Sequence, residues 1–334
     1  MTQSSLPLGD GDLQAQLAAE LEDIEQRLQQ AARSADPLVD PSAHHLLDAG
    51  GKRIRPVLVL LTSQFGNGVN DQVRAAAVAT ELTHLATLYH DDVMDSAPLR
   101  RGAPSAHEVW GNSVAILTGD LLFAKASRIV ADLGPRAVKI QAEAFERLVL
   151  GQLHETIGPT EDEDPIEHYL QVLADKTGSL IAAAAHYGTI LAGASAEIEA
   201  AAVAYAEKVG VAFQLADDVI DLASDAETTG KTPGTDLREG VPTMPVLLLR
   251  RRAAAGELDE AGRTLVADLD GDLSSDEVLA DVLSRLNAHP VLDEAREMAR
   301  TWAGSAVAEL EQLPASDTRT ALDEFAHLLV DRLA

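Results

Sequence analysis

Two short aspartate clusters constrain the fold and chemistry of this chain more than any other feature. Each has the pattern Asp-Asp-x-x-Asp and follows a long, mostly apolar stretch, with DDVMD at 91–95 and DDVID at 217–221. In a helix, the first and last aspartates of such a cluster lie on one face, roughly 6 Å apart. At a helix C-terminus, the negative end of the helix dipole adds to their mutual repulsion. Each cluster is therefore costly unless cations occupy it.

The ligand chemistry of the clusters favours magnesium. Mg²⁺ binds one or two carboxylates, keeps several waters and shares the phosphates of a substrate, whereas the glycine-bearing loop of an EF-hand is absent from both places. Arg100 and Arg101 follow the first cluster and Lys231 follows the second, and these side chains suit phosphate oxygens. A solvated acidic helix end is the alternative for one cluster alone. Two matching copies with flanking cations predict a polyphosphate site instead.

The composition predicts a helical protein with a large core. The chain has 334 residues, of which 46% are hydrophobic, which is ample for one large domain. Alanine and leucine dominate and no segment alternates with period two, so we expect an all-α fold. A net charge of −28 argues against nucleic-acid partners and against docking on an anionic membrane. The absence of cysteine excludes disulfides and thiolate ligands.

Turn signals divide the chain into roughly a dozen helices. Residues 1–12 are predicted to be a polar tail, and 13–334 a single domain. Long helices are predicted at 13–32, 55–65, 72–94, 113–133, 135–157, 166–193 and 196–224. No apolar run is long enough for a membrane span and the N-terminus lacks the pattern of a secretory signal, so we expect a cytoplasmic protein.

Further motifs occur in order along 42–252, and together they resemble the trans-type isoprenyl diphosphate synthases, also called polyprenyl synthetases. Each motif alone is weak, but the ordered set is specific. The motifs are GGKRIRP (50–56), LYHDDVMD (88–95), RRG (100–102), GD (119–120), KTG (176–178), FQLADDVID (213–221) and GKTPGTDLREG (230–240).

The resemblance implies a helical bundle of the isoprenoid-synthase type around a deep central cavity, with the two clusters facing each other across its mouth. It also implies a prenyltransferase, acting as a homodimer, that joins isopentenyl diphosphate head to tail to an allylic diphosphate. About three Mg²⁺ ions per active site would hold the allylic diphosphate.

The resemblance also implies roles for individual residues. Asp91 and Asp95 would ligate two magnesium ions and Asp217 a third. Together with Lys176 and Lys231 they form the expected catalytic set, while Asp92, Asp218 and Asp221 would act from the outer shell. The allylic diphosphate would meet Arg100, Lys176, Thr177, Gln214 and Lys231, and isopentenyl diphosphate would meet Lys52, Arg55, His84 and Arg101. One position departs from the pattern, because Val241 stands where family members often have lysine.

Product length is expected to depend on the cavity below the first cluster. Ala86, five residues before Asp91, is too small to block it, which favours an all-trans product of thirty carbons or more. Ala86 would also be small if two helices simply packed closely there. Phe123 would then be one candidate for a deeper floor. A short-chain farnesyl or geranylgeranyl diphosphate synthase is therefore the alternative.

Other classes of protein fit the residues less well. A class I terpene cyclase would not need GGKRIRP, Arg101 or a second DDxxD cluster. A non-catalytic synthase subunit would be expected to lose aspartates, and this chain keeps both sets. A helical scaffold that merely binds cations would not explain the paired arginines or the KTG segment.

Overall fold

Helices form nearly all the regular structure in the part of the chain that the computed structural model describes, which is residue 9 together with 11–223, 234–238 and 240–330. The first helices are α1 (Gly11–Ala32), α2 (Asp40–Asp48), α3 (Ile54–Ser63) and α4 (Asp71–Met94). A two-stranded antiparallel hairpin of β1 (Leu99–Arg100) and β2 (Ala103–Pro104) follows, and then a short α5 (Ala106–Trp110). A small hairpin thus lies between the helices predicted at 72–94 and 113–133.

The middle of the chain forms the longest helices. They are α6 (Asn112–Asp132), α7 (Pro135–Ile157), α8 (Pro165–Leu173), α9 (Ser179–Leu191) and α10 (Ala196–Ala223). A π-helical turn at Ala174–Gly178 joins α8 directly to α9, so the predicted single helix at 166–193 is one continuous but irregular segment. Its start is fixed by Asp164, whose side chain accepts hydrogen bonds from the first two N–H groups of α8.

The C-terminal part adds a set of shorter helices. They are α11 (Thr235–Arg238), α12 (Met244–Ala254), α13 (Glu260–Leu269), α14 (Asp276–Asn287), α15 (Val291–Glu309), a 3₁₀ turn at Leu310–Gln312, and α16 (Asp317–Val330). No helix among the described ranges has both the length and the apolar run that crossing a bilayer requires.

The core is divided into two hydrophobic clusters that meet along α10. One cluster contains residues of α1, α2, α3, α4, α6 and α9 together with the first half of α10. The other contains residues of α8, α12, α13, α14 and α15 together with the second half of α10. The alanine-rich stretch 181–185 is buried within this core, where α9 lies between α3 and α10. Small side chains therefore serve close helix packing inside the subunit.

The sequence correctly predicts an all-α fold with the aspartate clusters near the ends of two long helices, α4 and α10. The assignment of 1–12 to a tail and 13–334 to one domain stays a prediction, and most of the tail lies outside the described residues.

Candidate active site

The first aspartate cluster occupies the last turn of α4. The side chain of Asn70 caps the start of this helix by accepting a hydrogen bond from the backbone N–H of Val73. At the other end, the backbone N–H of Asp95 donates to the carbonyl of Asp91 at 2.8 Å. Asp91 is half-buried and Asp95 is exposed. Burial raises the pKa of Asp91 to about 6, while Lys176 opposes this rise and Asp95 adds to it. A bound cation would relieve the cost of keeping these carboxylates charged.

The middle aspartate of this cluster has a different environment. Asp92 is 0% exposed, and one of its oxygens lies 2.6 Å from Nε of Arg100. Its second oxygen is also buried, and within the described ranges it has no hydrogen-bond partner. Burial raises the pKa of Asp92, and Arg100 opposes that rise. Asp92 is thus directed at the hairpin.

The hairpin after α4 directs the side chains of Arg100 and Arg101 to different parts of the structure. Its central residues, Arg101 and Gly102, have φ values of 55° and 77°, as the tightest hairpin turns require. This geometry sends Arg100 back to α4. It sends Arg101 to the end of α2, where Nη1 donates to the carbonyls of Leu46 and Gly50, at 3.0 Å in the first case.

The charges of Arg55 and Arg101 both act on His84, and we call this group of three side chains the cationic pocket. Arg55 makes no hydrogen bond with the rest of the described chain, and its Nε is fully buried. Burial lowers the pKa of Arg55 to about 10, with Glu81 opposing the fall and Arg101 adding to it. Burial and these same arginines hold the pKa of His84 well below its usual value, so its ring is neutral at pH 7. Lys52 lies exposed on the loop just before α3.

This pocket fits an anion. A buried guanidinium that lacks a partner is costly, and a bound anion removes that cost. Three donor side chains of the pocket were predicted from the sequence for isopentenyl diphosphate, namely Arg55, Arg101 and His84. The structure brings these three together, and their assignment to that substrate stays a prediction.

The π-helical turn carries Lys176 and Thr177 to the first cluster. Lys176 is the strongest charge acting on both Asp91 and Asp95, and its Nζ lies 2.5 Å from an oxygen of Glu155 on α7. Burial alone would lower the pKa of Lys176, but Glu155 and Asp91 outweigh burial and raise it. Lys176 is therefore charged. Turns of the π type are frequent at functional sites.

Two glycines make room for this turn. A Cβ on Gly151 of α7 would lie 2.7 Å from the backbone nitrogen of Lys176, and one on Gly210 of α10 would lie 2.6 Å from Cα of Gly178. Real side chains essentially never approach backbone this closely. The position of Lys176 thus depends on glycine at position 151 of α7 and at position 210 of α10, because a side chain at either position would displace the turn.

The second aspartate cluster lies in the last turns of α10. Its middle residue, Asp218, is 6% exposed. Oη of Tyr169 on α8 lies 2.9 and 3.0 Å from the two carboxylate oxygens, and the backbone N–H of Met244 donates to one of them at 3.2 Å. Asp218 therefore ties α8 and α12 to α10. Asp217, Asp221 and Gln214 are half-buried near it.

The two clusters share one arrangement. In each, the middle aspartate is buried and held by a neighbouring element, while the first and last are more open. The outer-shell roles expected for Asp92, Asp218 and Asp221 stay predictions. Lys231 lies outside the described residues, so its predicted contact with diphosphate stays a prediction. Val241, the position that departs from the expected pattern, is half-buried just before α12.

Sequence reasoning missed two partners of the site, Glu155 and Tyr169. Both form contacts between residues far apart in the chain, so no local pattern marks them. Tyr169 was missed because a single tyrosine in a helical stretch is more often a packing residue.

The donor set fits magnesium bound jointly with a diphosphate. Among the described residues, no three His, Asp or Glu side chains converge tightly enough to enclose an ion by themselves. Mg²⁺ rarely needs such a cage, since it usually takes one or two carboxylates and completes its shell with waters and substrate phosphates. Asp91 and Asp95 supply hard oxygens of this kind, and Lys176 beside them adds a phosphate-binding charge.

A narrow apolar cavity of about 10 Å³, roughly the room that one water molecule needs, lies deeper in the bundle. Thr80 and Thr83 of α4 line it, about two to three turns before Asp91. The other walls come from α6, α7 and α9 and include Phe145 and Tyr187. Phe145 stacks on Phe123 with ring centroids 4.2 Å apart, so Phe123 supports a wall from behind.

Ala86 is buried where α4 packs against α6. The walls of the narrow cavity do not include it. The carbonyl oxygen of Ala86 would lie 3.0 Å from a Cβ on Gly119, so the two helices approach closely at this level. The alternative explanation of its small size, close helix packing, therefore applies at least in part.

Comparison with known proteins identifies the family. A nonaprenyl diphosphate synthase from Mycobacterium tuberculosis is 43% identical over 330 residues, which covers 98% of this chain and 97% of that protein. The crystal structure of a geranylgeranyl pyrophosphate synthase from Corynebacterium glutamicum, complexed with calcium and isoprenyl diphosphate, matches with a TM-score of 0.85 and 42% identity over 98% of this chain and 99% of that chain.

A polyprenyl synthase from Caulobacter crescentus, also complexed with calcium and isoprenyl diphosphate, matches with a TM-score of 0.87 and 32% identity over 98% of this chain and 100% of that chain. The family model for polyprenyl synthetases matches residues 36–271. These matches confirm the predicted fold class and enzyme class. The chain belongs to the polyprenyl synthetase family and is a prenyltransferase.

Proposed function

We propose that this enzyme joins isopentenyl diphosphate head to tail to an allylic diphosphate and makes a long all-trans polyprenyl diphosphate. One observation carries the proposal, namely two separate groups of charged side chains along α4 that would each suit a diphosphate. His84 lies two turns before Asp91, about 10 Å along the helix. The pocket around His84 is cationic, and Arg55 has no hydrogen-bond partner there within the described part of the chain. The site around Asp91 places carboxylates beside Lys176. A cyclase needs one such place, whereas a chain-extending enzyme needs two.

The carboxylate site is proposed to hold the allylic diphosphate through Mg²⁺. Asp91 and Asp95 would hold two ions and Asp217 a third, in line with the calcium and isoprenyl diphosphate bound in the two related crystal structures. When bound, magnesium stabilises negative charge on the departing diphosphate. Lys176, Thr177, Arg100, Gln214 and Lys231 are the proposed phosphate contacts.

The protein's own side chains would do three things in the reaction. Lys176 and Arg100 stabilise the diphosphate that leaves with the electron pair of the allylic C–O bond. Arg55, Arg101 and neutral His84 hold isopentenyl diphosphate, with exposed Lys52 as a further contact, so that its double bond forms the new C–C bond to the allylic carbon. A proton then leaves the extended chain for the released diphosphate. The apolar interior excludes water from the carbocation.

A long product is favoured by the small side chains that face the cavity from α4. Ala79, Thr80 and Thr83 line the narrow cavity and place no bulky side chain in it. The relative from M. tuberculosis is named as a nonaprenyl diphosphate synthase, and the one from C. glutamicum as a geranylgeranyl pyrophosphate synthase. A shorter product is therefore the second candidate.

A homodimer is also part of the proposal. Aliphatic side chains are exposed on α6 and α7, among them Leu117 at 65% and Ile157 at 77%. Val114, Val149, Leu150 and Leu153 are exposed on the same two helices. A second copy of this chain would cover such a surface. Sedimentation of the purified enzyme at several concentrations tests this, and a monomer throughout would contradict it.

The proposed reaction is tested with purified protein, Mg²⁺, labelled isopentenyl diphosphate and farnesyl diphosphate. Elongated all-trans diphosphates are expected, and their length separates the long-chain from the short-chain reading. Cyclised hydrocarbon would point to a cyclase, and no turnover by folded protein would contradict the proposal. Asp91→Ala should lower kcat at least about 100-fold with the fold intact. Asp132→Ala, which removes an exposed aspartate near the far end of α6, is the matched control.

A further inference from the structure

Arg53 belongs to the GGKRIRP motif, but it is not available to a substrate. It is 7% exposed, and its guanidinium lies 2.8 and 3.0 Å from the two oxygens of Glu25 on α1. Its Nη1 also donates to Glu81 of α4 at 3.0 Å. Arg53 adopts a left-handed backbone conformation, with φ of 52°, at the start of α3. The guanidinium of Arg53 is thus held by two carboxylates, whereas Arg55 has no such contact among the described residues.

The negative charge of Glu81 acts on Arg53, Arg55 and Arg101. It is 2% exposed, and it is the leading negative charge acting on both Arg55 and Arg101. Across the described part of the chain, Arg53 is nevertheless the one cation within ion-pair distance of Glu81. The other two arginines feel its charge without contacting it.

We propose that Arg53 is a positioning residue that occupies Glu81 and thereby leaves Arg55 and Arg101 free for the diphosphate of the five-carbon substrate. The inference rests on the proposed function of that pocket. A buried carboxylate that loses its partner carries a large penalty and takes the nearest cation. Without Arg53, those cations are Arg55 and Arg101. Arg55 is the readier of the two because it has no hydrogen-bond partner among the described residues.

Arg53 also has a second set of contacts. Its guanidinium lies 3.4 Å from the carbonyls of Gly50 and Leu47, in the turn that Arg101 also contacts. Loss of Arg53 would loosen this turn whether or not Glu81 matters. A test must therefore separate two effects of losing Arg53, namely the unpaired charge of Glu81 and the loosened turn. Removing the charge of Glu81 in the same protein cancels the first effect and leaves the second.

The test compares Arg53→Met with the double variant Arg53→Met/Glu81→Gln in the full-length enzyme. Arg53→Met should raise KM for isopentenyl diphosphate at least tenfold and change KM for farnesyl diphosphate less than twofold. The double variant should return KM for isopentenyl diphosphate to within threefold of the wild-type value, because the competing charge is gone. Glu25→Gln removes the other carboxylate partner of Arg53 and should leave this KM within threefold.

Two outcomes would overturn the inference. One is an unchanged KM in Arg53→Met, and the other is a double variant as impaired as Arg53→Met, which would show that the turn alone matters. Arg53→Gln keeps a donor for the carbonyls and is the second variant, with the same expected direction, if Arg53→Met does not fold. Calorimetric binding of isopentenyl diphosphate repeats the comparison without turnover. Failure of the wild-type enzyme to elongate farnesyl diphosphate would count against the proposed reaction and not against this result.

Discussion

Nε of Arg100 lies 2.6 Å from a carboxylate oxygen of Asp92, and that carboxylate is fully buried at the end of α4. The pair connects the hairpin to the first aspartate cluster. Because the second oxygen of Asp92 has no hydrogen-bond partner in the described ranges, Arg100 is the main compensation for this buried charge. The residue proposed to bind diphosphate thus also stabilises the helix end that carries the metal site.

Removing Arg100 should therefore destabilise the protein through Asp92. Arg100→Met is expected to lower the free energy of unfolding by about 3 kcal/mol, since it leaves a buried charge unpaired. Asp92→Asn in the same protein should recover most of that loss, because no charge then remains to be compensated. Urea unfolding followed by circular dichroism measures both. Equal stabilities of the single and double variants would show that the pair contributes nothing through charge.

Gly151 packs against the π-helical turn and Gly304 faces open space in the described part of the chain, so the two glycines allow a matched pair of substitutions. Gly151→Ala puts a methyl group 2.7 Å from the backbone nitrogen of Lys176, so the turn must move. A displacement of this kind should lower kcat/KM by up to about 100-fold, because Lys176 leaves its place beside Asp91. Gly304→Ala on α15 meets nothing within 4 Å and should stabilise the protein by up to about 1 kcal/mol. Wild-type activity in Gly151→Ala would contradict the role assigned to this packing.

Product length should respond to bulk at different depths along α4. Ala86→Phe adds bulk one to two turns before Asp91, and Thr80→Phe adds it three turns before, about 16 Å along the helix. Both are expected to shorten the product. Thr80→Phe should leave the longer of the two because Thr80 lines the cavity further from the metal site. Chromatography of the dephosphorylated products by chain length measures this. An unchanged distribution in Thr80→Phe would show that the product takes another path.

His84 should make the protein less stable as the pH falls. Its pKa in the folded state is well below 6.5, because burial and the surrounding arginines disfavour its charged form. In the unfolded chain the pKa is near 6.5. Above that pH both states are neutral, whereas below it the unfolded state binds a proton that the folded state does not. Stability is therefore lost as the pH falls, by at most about 1.4 kcal/mol per pH unit.

His84→Gln is the comparison that isolates this contribution. The amide keeps a neutral hydrogen-bond donor and cannot be protonated in this range. The unfolding free energy of the variant, measured in urea from pH 7.5 to 5, should fall less steeply than that of the wild type. Parallel pH profiles would mean that His84 does not titrate as its surroundings predict.

The sequence predicted the helices and the aspartate clusters because both depend on local spacing. Apolar periodicity marks a helix, and carboxylates one turn apart share a face whatever surrounds them. Arg100 and Arg101 were also identified, and the family resemblance assigned them to different substrates, but the sequence does not give the directions of their side chains. Those depend on the turn at Arg101 and Gly102, where both residues have positive φ.

The remaining features of the site depend on pairs that are distant in the chain. Glu155 on α7 contacts Lys176 in the π-helical turn. Tyr169 on α8 contacts Asp218 on α10. Neither pair has a spacing that a helix or strand would dictate. Arg53 illustrates the same limit, because its motif suggests a ligand whereas Glu25 and Glu81 turn it into an internal counter-ion.

The π-helical turn restricts how the length of this part of the chain can change. Each residue of a helix turns it by about 100°, so deletion of one residue between Tyr169 and Lys176 would rotate one of them to another side. Tyr169 would lose Asp218, or Lys176 would lose Asp91. An insertion would do the same in the opposite sense. The loop at 158–164 sets no such angle, so changes in chain length among related enzymes should collect there and spare 169–176.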